Sequence, residues 1–139
     1  MAASSFVRVS NVIIRNLTIR DTRMPDDDPG DDGYDYDAIQ MDTANRIWTD
    51  NVTARITIHH NWFRNTKTRS PSVDNVAYGH LYNNYLQNVG FGSHVRGSSK
   101  TVIENSYFDG VRDPYYVTGS AELAQRGNTV INSYGPPAG

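Results

Sequence analysis

The chain has 139 residues, a length that fits a single domain, and a formal net charge of −2 from 13 basic and 15 acidic residues. It contains no cysteine, which excludes a disulfide framework, and no apolar run approaches the ~18 residues of a membrane span. Seven of the acidic residues fall between Asp26 and Asp37, leaving 8 acidic against 13 basic residues elsewhere, and we expect that basic remainder to attract a polyanion.

Short β-strands are predicted along the whole chain, because apolar β-branched residues alternate with polar ones for a few positions before each turn signal. In chain order the predicted strands are 7–9, 12–19, 38–41, 46–49, 54–58, 79–82, 93–96, 100–103 and 129–131. Residues 121–126 carry some helical propensity without an apolar stripe, so we expect them to form an excursion from the strands. One domain is expected over residues 1–134, followed by a flexible Pro- and Gly-rich tail, 135–139.

A motif of the form apolar-x-Asn-x-(aromatic or apolar) recurs along these strands. Its copies contain Asn16, Asn61, Asn84, Asn105 and Asn132, and from Asn61 the intervals are 23, 21 and 27 residues. A period of ~20–50 residues is typical of stacked repeats. Asn tolerates a left-handed backbone, and amides stacked on successive coils can hydrogen-bond to one another. The alternative is that Asn is merely common in β-turns, but the aromatic residues that follow it also repeat. The sequence therefore predicts an all-β, partial β-solenoid with few coils.

One interval breaks the repeat. If Asn51 is another ladder position, Asn61 follows after 10 residues, which span at most about 33 Å and cannot travel around a three-sided coil. Either Asn51 is out of register, or the chain has lost one or more coils between Asp50 and Ile56.

Several segments, in matching order and spacing, resemble the calcium-dependent pectate lyases. They are the strand before Asn16, the segments 35–39 and 46–50, and the run 56–85 that includes His59-His60-Asn61, Arg69-Ser70-Pro71 and Asn83-Asn84-Tyr85. The resemblance implies a right-handed, single-stranded parallel β-helix that cleaves polygalacturonate, or pectin, by Ca²⁺-assisted β-elimination. It also implies an extracellular protein, although the first residues carry no signal-peptide pattern. Neither nucleic acid nor membrane is an expected partner, whereas open β-helix edges would favour self-association.

The same resemblance assigns roles to four residues. Asp35 and Asp37 would be Ca²⁺ ligands, Arg69 the catalytic base and Arg96 a substrate-binding residue that clamps a carboxylate. Ca²⁺ prefers oxygen ligands, and two acids two positions apart on an extended segment point to the same side. In the alternative interpretations the two Asp belong to a solvated acidic loop, Arg69 pairs with Asp74 at the surface, and Arg96 is a solvated strand end.

The chain also departs from the family pattern. Further acidic Ca²⁺ ligands and a substrate-binding lysine have no counterpart after Asp50, and Asp74 stands where the family commonly places a second arginine. Unless it is paired, that acid would repel a polyanion. His59 and His60 are adjacent, so we expect them to face opposite ways and not to share a metal ion. Two other functions stay open: a non-catalytic carbohydrate-binding or structural β-helix fragment, and a glycoside hydrolase on a similar fold.

Overall fold

The structure, a computed structural model, describes residues 4–7, 12–20, 39–42 and 55–135. The described residues form β-strands and their connections, without a helix. The strands are β1 (Ser4–Val7), β2 (Val12–Arg15), β3 (Thr18–Arg20), β4 (Ile39–Asp42), β5 (Arg55–His59), β6 (Trp62–Arg64), β7 (Ser72–Asp74), β8 (Tyr78–Tyr82), β9 (Tyr85–Val89), β10 (Ser93–Arg96), β11 (Lys100–Glu104), β12 (Tyr107–Val111), β13 (Tyr115–Val117), β14 (Glu122–Arg126) and β15 (Thr129–Ile131). Accordingly, nothing in the described ranges has the helical length and apolar character needed to cross a bilayer.

The strands belong to three parallel sheets of five strands each. Sheet A has the order β1-β4-β7-β10-β13, sheet B β14-β11-β8-β5-β2, and sheet C β15-β12-β9-β6-β3. Every third strand therefore returns to the same sheet and lies parallel to its predecessor, and three successive strands make one coil. This arrangement is a parallel β-solenoid and confirms the predicted fold class.

The stack is continuous across the segment where the sequence suggested that coils have been lost. Strand β2 pairs directly with β5, β3 with β6, and β4 with β7. The residues that join β4 to β5, which include Asn51 and the predicted strand 46–49, lie outside the described ranges.

The core lies inside the three sheets. In β5, β8 and β11 every second residue is buried, which is the pattern expected of strands with one face on a core. Sheet C contributes a column in which Phe63, Leu86, Phe108 and Val130 are in register on successive coils. Phe63 and Phe108 are fully buried, so this column is a main source of apolar burial.

One strand contradicts its prediction. Residues 121–126 were expected to leave the coils, but Glu122–Arg126 is strand β14 and pairs in register with β11 over its whole length. The weak helical propensity of Leu123, Ala124 and Gln125 is overridden because the backbone groups of β11 offer a complete ladder of hydrogen bonds to this segment.

The asparagine ladder exists, but its members differ from the prediction. Asn61 Nδ2 donates to Asn84 Oδ1 at 3.2 Å, and Asn84 Nδ2 donates to the Ile58 carbonyl at 2.9 Å. The Asn84 backbone N–H donates to Ser106 Oγ, whose own backbone N–H donates to Asn128 Oδ1. Ladder members are therefore separated by 23, 22 and 22 residues, the length of one coil.

The other Asn residues of the repeated motif lie in bends of the chain. Asn16 and Asn105 have φ values of 57° and 50°, and they stand one position before the ladder, in the left-handed backbone that turns the chain from sheet B to sheet C. Asn132 (φ 49°) lies in a different bend, directly after a strand of sheet C, as Asn65 (φ 52°) does on an earlier coil. The uneven intervals in the sequence arose because three structural positions that all favour Asn were combined into one series.

Replacement of the buried Asn84 is expected to destabilise the protein by about 1–3 kcal/mol. Asn84→Ala leaves the Ile58 carbonyl and the Asn61 amide without their buried partner. Urea unfolding of this variant would be compared with Asn83→Gly, a change at the exposed neighbour with φ 52°, where glycine is tolerated. Equal losses in the two variants would contradict a structural role for the ladder.

Candidate active site

Arg69 is held in the bend between β6 and β7. The backbone N–H of Ser70 donates to the Gly92 carbonyl at 3.1 Å, and the His94 N–H donates to the Pro71 carbonyl at 3.0 Å. The hydroxyl of Ser93 donates to the Ser70 carbonyl at 3.3 Å. These bonds attach the residues after Arg69 to the next coil. The backbone that carries the half-buried Arg69 side chain is therefore fixed, just before the amino-terminal end of β7.

The spacing of coils at this bend depends on glycine. A Cβ atom on Gly92 would lie 2.0 Å from the carbonyl oxygen of Pro114, and one on Gly90 would lie 1.9 Å from the carbonyl oxygen of Lys67. Both contacts are with backbone atoms, which cannot move aside without shifting a coil. Gly90 therefore sets how closely its coil stacks on the coil that contains Arg69, and Gly92 sets how closely it stacks on the following coil.

Arg96 and Asp74 meet at the end of neighbouring strands of sheet A. They are register partners in β10 and β7, and Arg96 Nε lies 3.3 Å from Asp74 Oδ2. The Arg96 side chain is 46% exposed and that of Asp74 18%. Because the acid is paired, the predicted repulsion of a polyanion by an unpaired Asp74 does not arise. Arg96 is a partly exposed cation in an ion pair rather than a fully solvated strand end.

Aromatic rings continue this surface along the solenoid, a feature that sequence reasoning missed. Phe91 precedes Gly92 as Arg69 precedes Ser70, so it occupies the position of Arg69 one coil further on. The guanidinium carbon of Arg112 lies 4.8 Å from the Phe91 ring centroid. His94 stacks on Tyr116 at 4.2 Å, and its Nε2 lies 2.8 Å from Thr118 Oγ1. The 22-residue coil length, applied to Arg69, is the signal that would have found Phe91.

The predicted calcium ligands lie outside the described residues, so Asp35 and Asp37 stay predictions. Among the residues that the structure describes, no group of three or more His, Cys, Asp or Glu side chains is arranged to hold a metal ion. Asp74 already faces the Arg96 guanidinium, which makes its carboxylate an unsuitable cation ligand.

The two adjacent histidines do not face opposite ways, and that prediction was wrong. His60 has a φ of 56°, which turns the chain so that His59 Nδ1 and His60 Nδ1 lie 2.7 Å apart. The ring centroids are 5.0 Å apart, so the two nitrogen atoms lie on the line between the rings. One Nδ1 therefore donates its N–H to the lone pair of the other, and neither nitrogen is directed at a shared ion.

This pair is expected to make stability fall in mild acid. Partial burial, followed by the nearby charges of His60, Arg15 and His80, lowers the pKa of His59 below its ordinary value of 6.5. The unfolded chain therefore binds the proton more tightly, so stability is complete above pH 6.5 and is lost as pH falls through the folded-state pKa. Melting temperatures measured from pH ~7 to pH ~5.5 should fall less steeply in His59→Gln than in the parent. Parallel slopes would contradict this assignment.

Comparison with known proteins places these residues in a family. A sequence profile described as pectate lyase matches residues 49–131, more than half of the chain, and the matched region contains both Arg69 and Arg96. The chain belongs to the pectate lyase family. The match begins downstream of Asp35 and Asp37, so membership of the pectate lyase family does not test those two residues.

Curated members of the pectate lyase family are similar over part of their length. The pectate trisaccharide-lyase of Bacillus licheniformis is 35% identical over 91 residues, covering 63% of this chain and 26% of that protein. Probable pectate lyase A of Aspergillus flavus is 34% identical over 74 residues, 53% of this chain and 23% of that protein. Pectate lyase A of Emericella nidulans is 28% identical over 79 residues, 57% of this chain and 24% of that protein. The chain thus spans about a quarter of the length of these relatives. No solved structure matches the chain significantly.

Proposed function

We propose that the protein is a lyase that cleaves polygalacturonate by β-elimination on the surface of sheet A. The observation that carries the proposal is the fixed position of Arg69, whose following residues are hydrogen-bonded to the next coil, within the region that matches the family. Arg96, at the end of β10, adds a second cation to the same sheet. A substrate with a carboxylate on every sugar is complementary to such a surface.

In the proposed reaction, Arg69 removes the proton from the sugar carbon next to the carboxylate. The electron pair of that C–H bond forms a carbon–carbon double bond, the glycosidic C–O bond on the adjacent carbon breaks, and the leaving oxygen takes up a proton from water. An arginine is an unusual base because its guanidinium normally stays protonated. The site must therefore lower the barrier by holding Arg69 against the reacting carbon and by surrounding the developing negative charge with cations.

Arg96 is proposed to bind a substrate carboxylate. Its planar guanidinium can donate two parallel hydrogen bonds to a carboxylate, which fixes the orientation of the sugar as well as attracting it. Asp74 keeps the Arg96 side chain in place, at an Nε–Oδ2 distance of 3.3 Å. The Arg96→Lys variant would keep the charge and lose the planar fork, so its main expected defect is a raised KM.

Asp35 and Asp37 are proposed to hold Ca²⁺. Their carboxylate oxygens are the donors that Ca²⁺ prefers. Gln40 of β4 pairs with Ser72 of β7, and Asp37 and Arg69 each lie three residues upstream of that pair, so both precede neighbouring strands of sheet A. Bound Ca²⁺ would withdraw charge from the substrate carboxylate and so acidify the neighbouring C–H bond.

The proposal is tested by incubating the purified protein with polygalacturonate, first with Ca²⁺ and then with a chelator. The expected result is an increase in near-ultraviolet absorbance from the unsaturated product, which the chelator stops. Absence of product from a protein whose β-structure is confirmed by circular dichroism would overturn the proposal. By resemblance to the family, we further propose an extracellular site of action.

A second candidate is a non-catalytic polygalacturonate-binding protein. It is favoured by the ion pair between Arg96 and Asp74, because an acid beside the proposed carboxylate-binding arginine opposes the negative charge that develops in elimination. Retention on a polygalacturonate matrix without any unsaturated product would identify this function.

A further inference from the structure

We propose that the outer face of sheet B is a second binding site, specific for an acidic oligosaccharide and separate from the candidate active site on sheet A. This inference rests on the proposed function only for the choice of ligand, an acidic oligosaccharide. It follows from the side chains that the solenoid register brings together on this face.

The outward side chains of sheet B form three rows that run across the strands. The register of β5, β8, β11 and β14 gives the rows Arg55-Tyr78-Lys100-Glu122, Thr57-His80-Val102-Ala124 and His59-Tyr82-Glu104-Arg126. In the middle row three of the four side chains are small, whereas both outer rows consist of long or aromatic side chains. The first row and the middle row line a trough, and the third row lies beside it.

The trough is continuous across the sheet. Two adjoining cavities of about 390 and 310 Å³ lie on it, and they share Tyr78, Gly79 and Val102. The first extends to Arg55 and Thr57, and the second to Glu122 and Ala124. Four strands at a spacing of ~4.8 Å give the trough a length of about 14 Å. That length suits several sugar units of an extended chain rather than a single small molecule.

The first row combines an exposed aromatic ring with a cation on each side. Tyr78 is 55% exposed, and the guanidinium carbon of Arg55 lies 5.7 Å from its ring centroid. Lys100 follows on the next coil, with Nζ 3.5 Å from a carboxylate oxygen of Glu122. An exposed ring offers a flat apolar face to the C–H groups of a sugar. Two cations separated by about two strand spacings, roughly 10 Å, are complementary to carboxylates that recur along a uronate chain.

The third row, beside the trough, is held together by its own contacts. Tyr82 stacks on His59 with ring centroids 4.7 Å apart, and Glu104 accepts from His80 at 2.7 Å and from Arg126. Glu104 is thereby paired with the Arg126 guanidinium and hydrogen-bonded to His80. The acid that stays close to the ligand path is Glu122, whose pair with Lys100 is fully at the surface and is therefore weak enough for a ligand carboxylate to replace.

Binding is tested in the Arg69→Ala background, so that ligand is not consumed, by calorimetric titration with hexagalacturonate. Tyr78→Ala and Arg55→Gln are each expected to weaken one binding event by about tenfold. The matched control is Tyr107→Ala, which removes a tyrosine that is 41% exposed on sheet C and should leave binding unchanged. Urea midpoints close to that of the parent would confirm that the variants are folded.

Three outcomes would overturn the proposal. The first is that Tyr78→Ala and Arg55→Gln bind as tightly as Tyr107→Ala. The second is that the fully methyl-esterified hexamer binds equally well, which would exclude recognition of carboxylates. The third is that the protein is a dimer which Tyr78→Ala dissociates, since a second copy of the chain would then cover this face.

Failure of this proposal is distinguishable from failure of the proposed function. Unsaturated product reports on sheet A, and the effect of Tyr78→Ala on binding reports on sheet B. If no product forms but Tyr78→Ala still weakens binding, elimination is refuted and the sheet B site stands. If product forms and Tyr78→Ala binds and reacts like the parent, the sheet B site is refuted and elimination stands.

Discussion

Arg69→Ala is expected to lower the rate of unsaturated product formation from polygalacturonate by about 10²–10⁴-fold, the usual contribution of a positioned base. Arg69→Lys should be nearly as slow, because an ammonium on a flexible stem does not reproduce the guanidinium geometry. Both variants should unfold at the parent's urea midpoint if the fixed backbone of residues 70–71, rather than the side chain, maintains the bend.

Lys67 provides the control for this prediction. It is an exposed cation two residues before Arg69, so Lys67→Ala changes the net charge by the same amount in the same bend. We expect Lys67→Ala to change the initial rate by less than about threefold, which corresponds to a weak surface interaction. Equal rate losses in the two variants would show that Arg69 acts only through its charge.

Phe108→Ala is expected to reduce the free energy of unfolding by about 3–5 kcal/mol, because it removes a large buried ring. Phe108 is fully buried, in register between Leu86 and Val130, and its ring meets Tyr115 edge-on at 5.5 Å. Truncation would leave a cavity in the middle of the stack, where neighbouring coils hold the walls apart. Urea unfolding, with the m-value checked, would measure the loss.

The control for this change lies in the same column. Val130, on the last described coil, is 43% exposed, so Val130→Ala removes little buried surface and should cost less than about 1 kcal/mol. Stability in a stacked protein depends on contacts between neighbouring coils. A similar loss in both variants would contradict the position of Phe108 at the centre of the core.

The sequence was sufficient to predict the fold class because successive coils repeat a similar pattern of apolar residues and Asn. Strands of sheet B, such as β8 and β11, are β-branched or aromatic and alternate clearly, and both were predicted with small errors in their bounds. The strands of sheet C were harder. β9 and β12 contain Gln87, Asn88 and Gly110, which weaken the strand pattern, and they form because each pairs along its length with the coils on either side.

The candidate site was predictable in its parts but not in its arrangement. Resemblance to the family pointed to Arg69 and Arg96, yet the ion pair between Arg96 and Asp74 depends on a register between strands that are 22 residues apart. The contact between His59 and His60 requires the left-handed backbone of His60. The side chains of its neighbours give no sequence signal for that conformation. Asp35 and Asp37 stay predictions, because the described residues do not include them.

The central claim, that this solenoid breaks the glycosidic bond by elimination, is tested most directly by mass analysis of products from a uronate oligomer of defined length in water labelled with heavy oxygen. Elimination predicts one saturated product and one unsaturated product that is lighter by a water molecule, with no label in either. Two products of full mass, one of which carries the label, would show hydrolysis and contradict the assignment of Arg69 as the base for elimination.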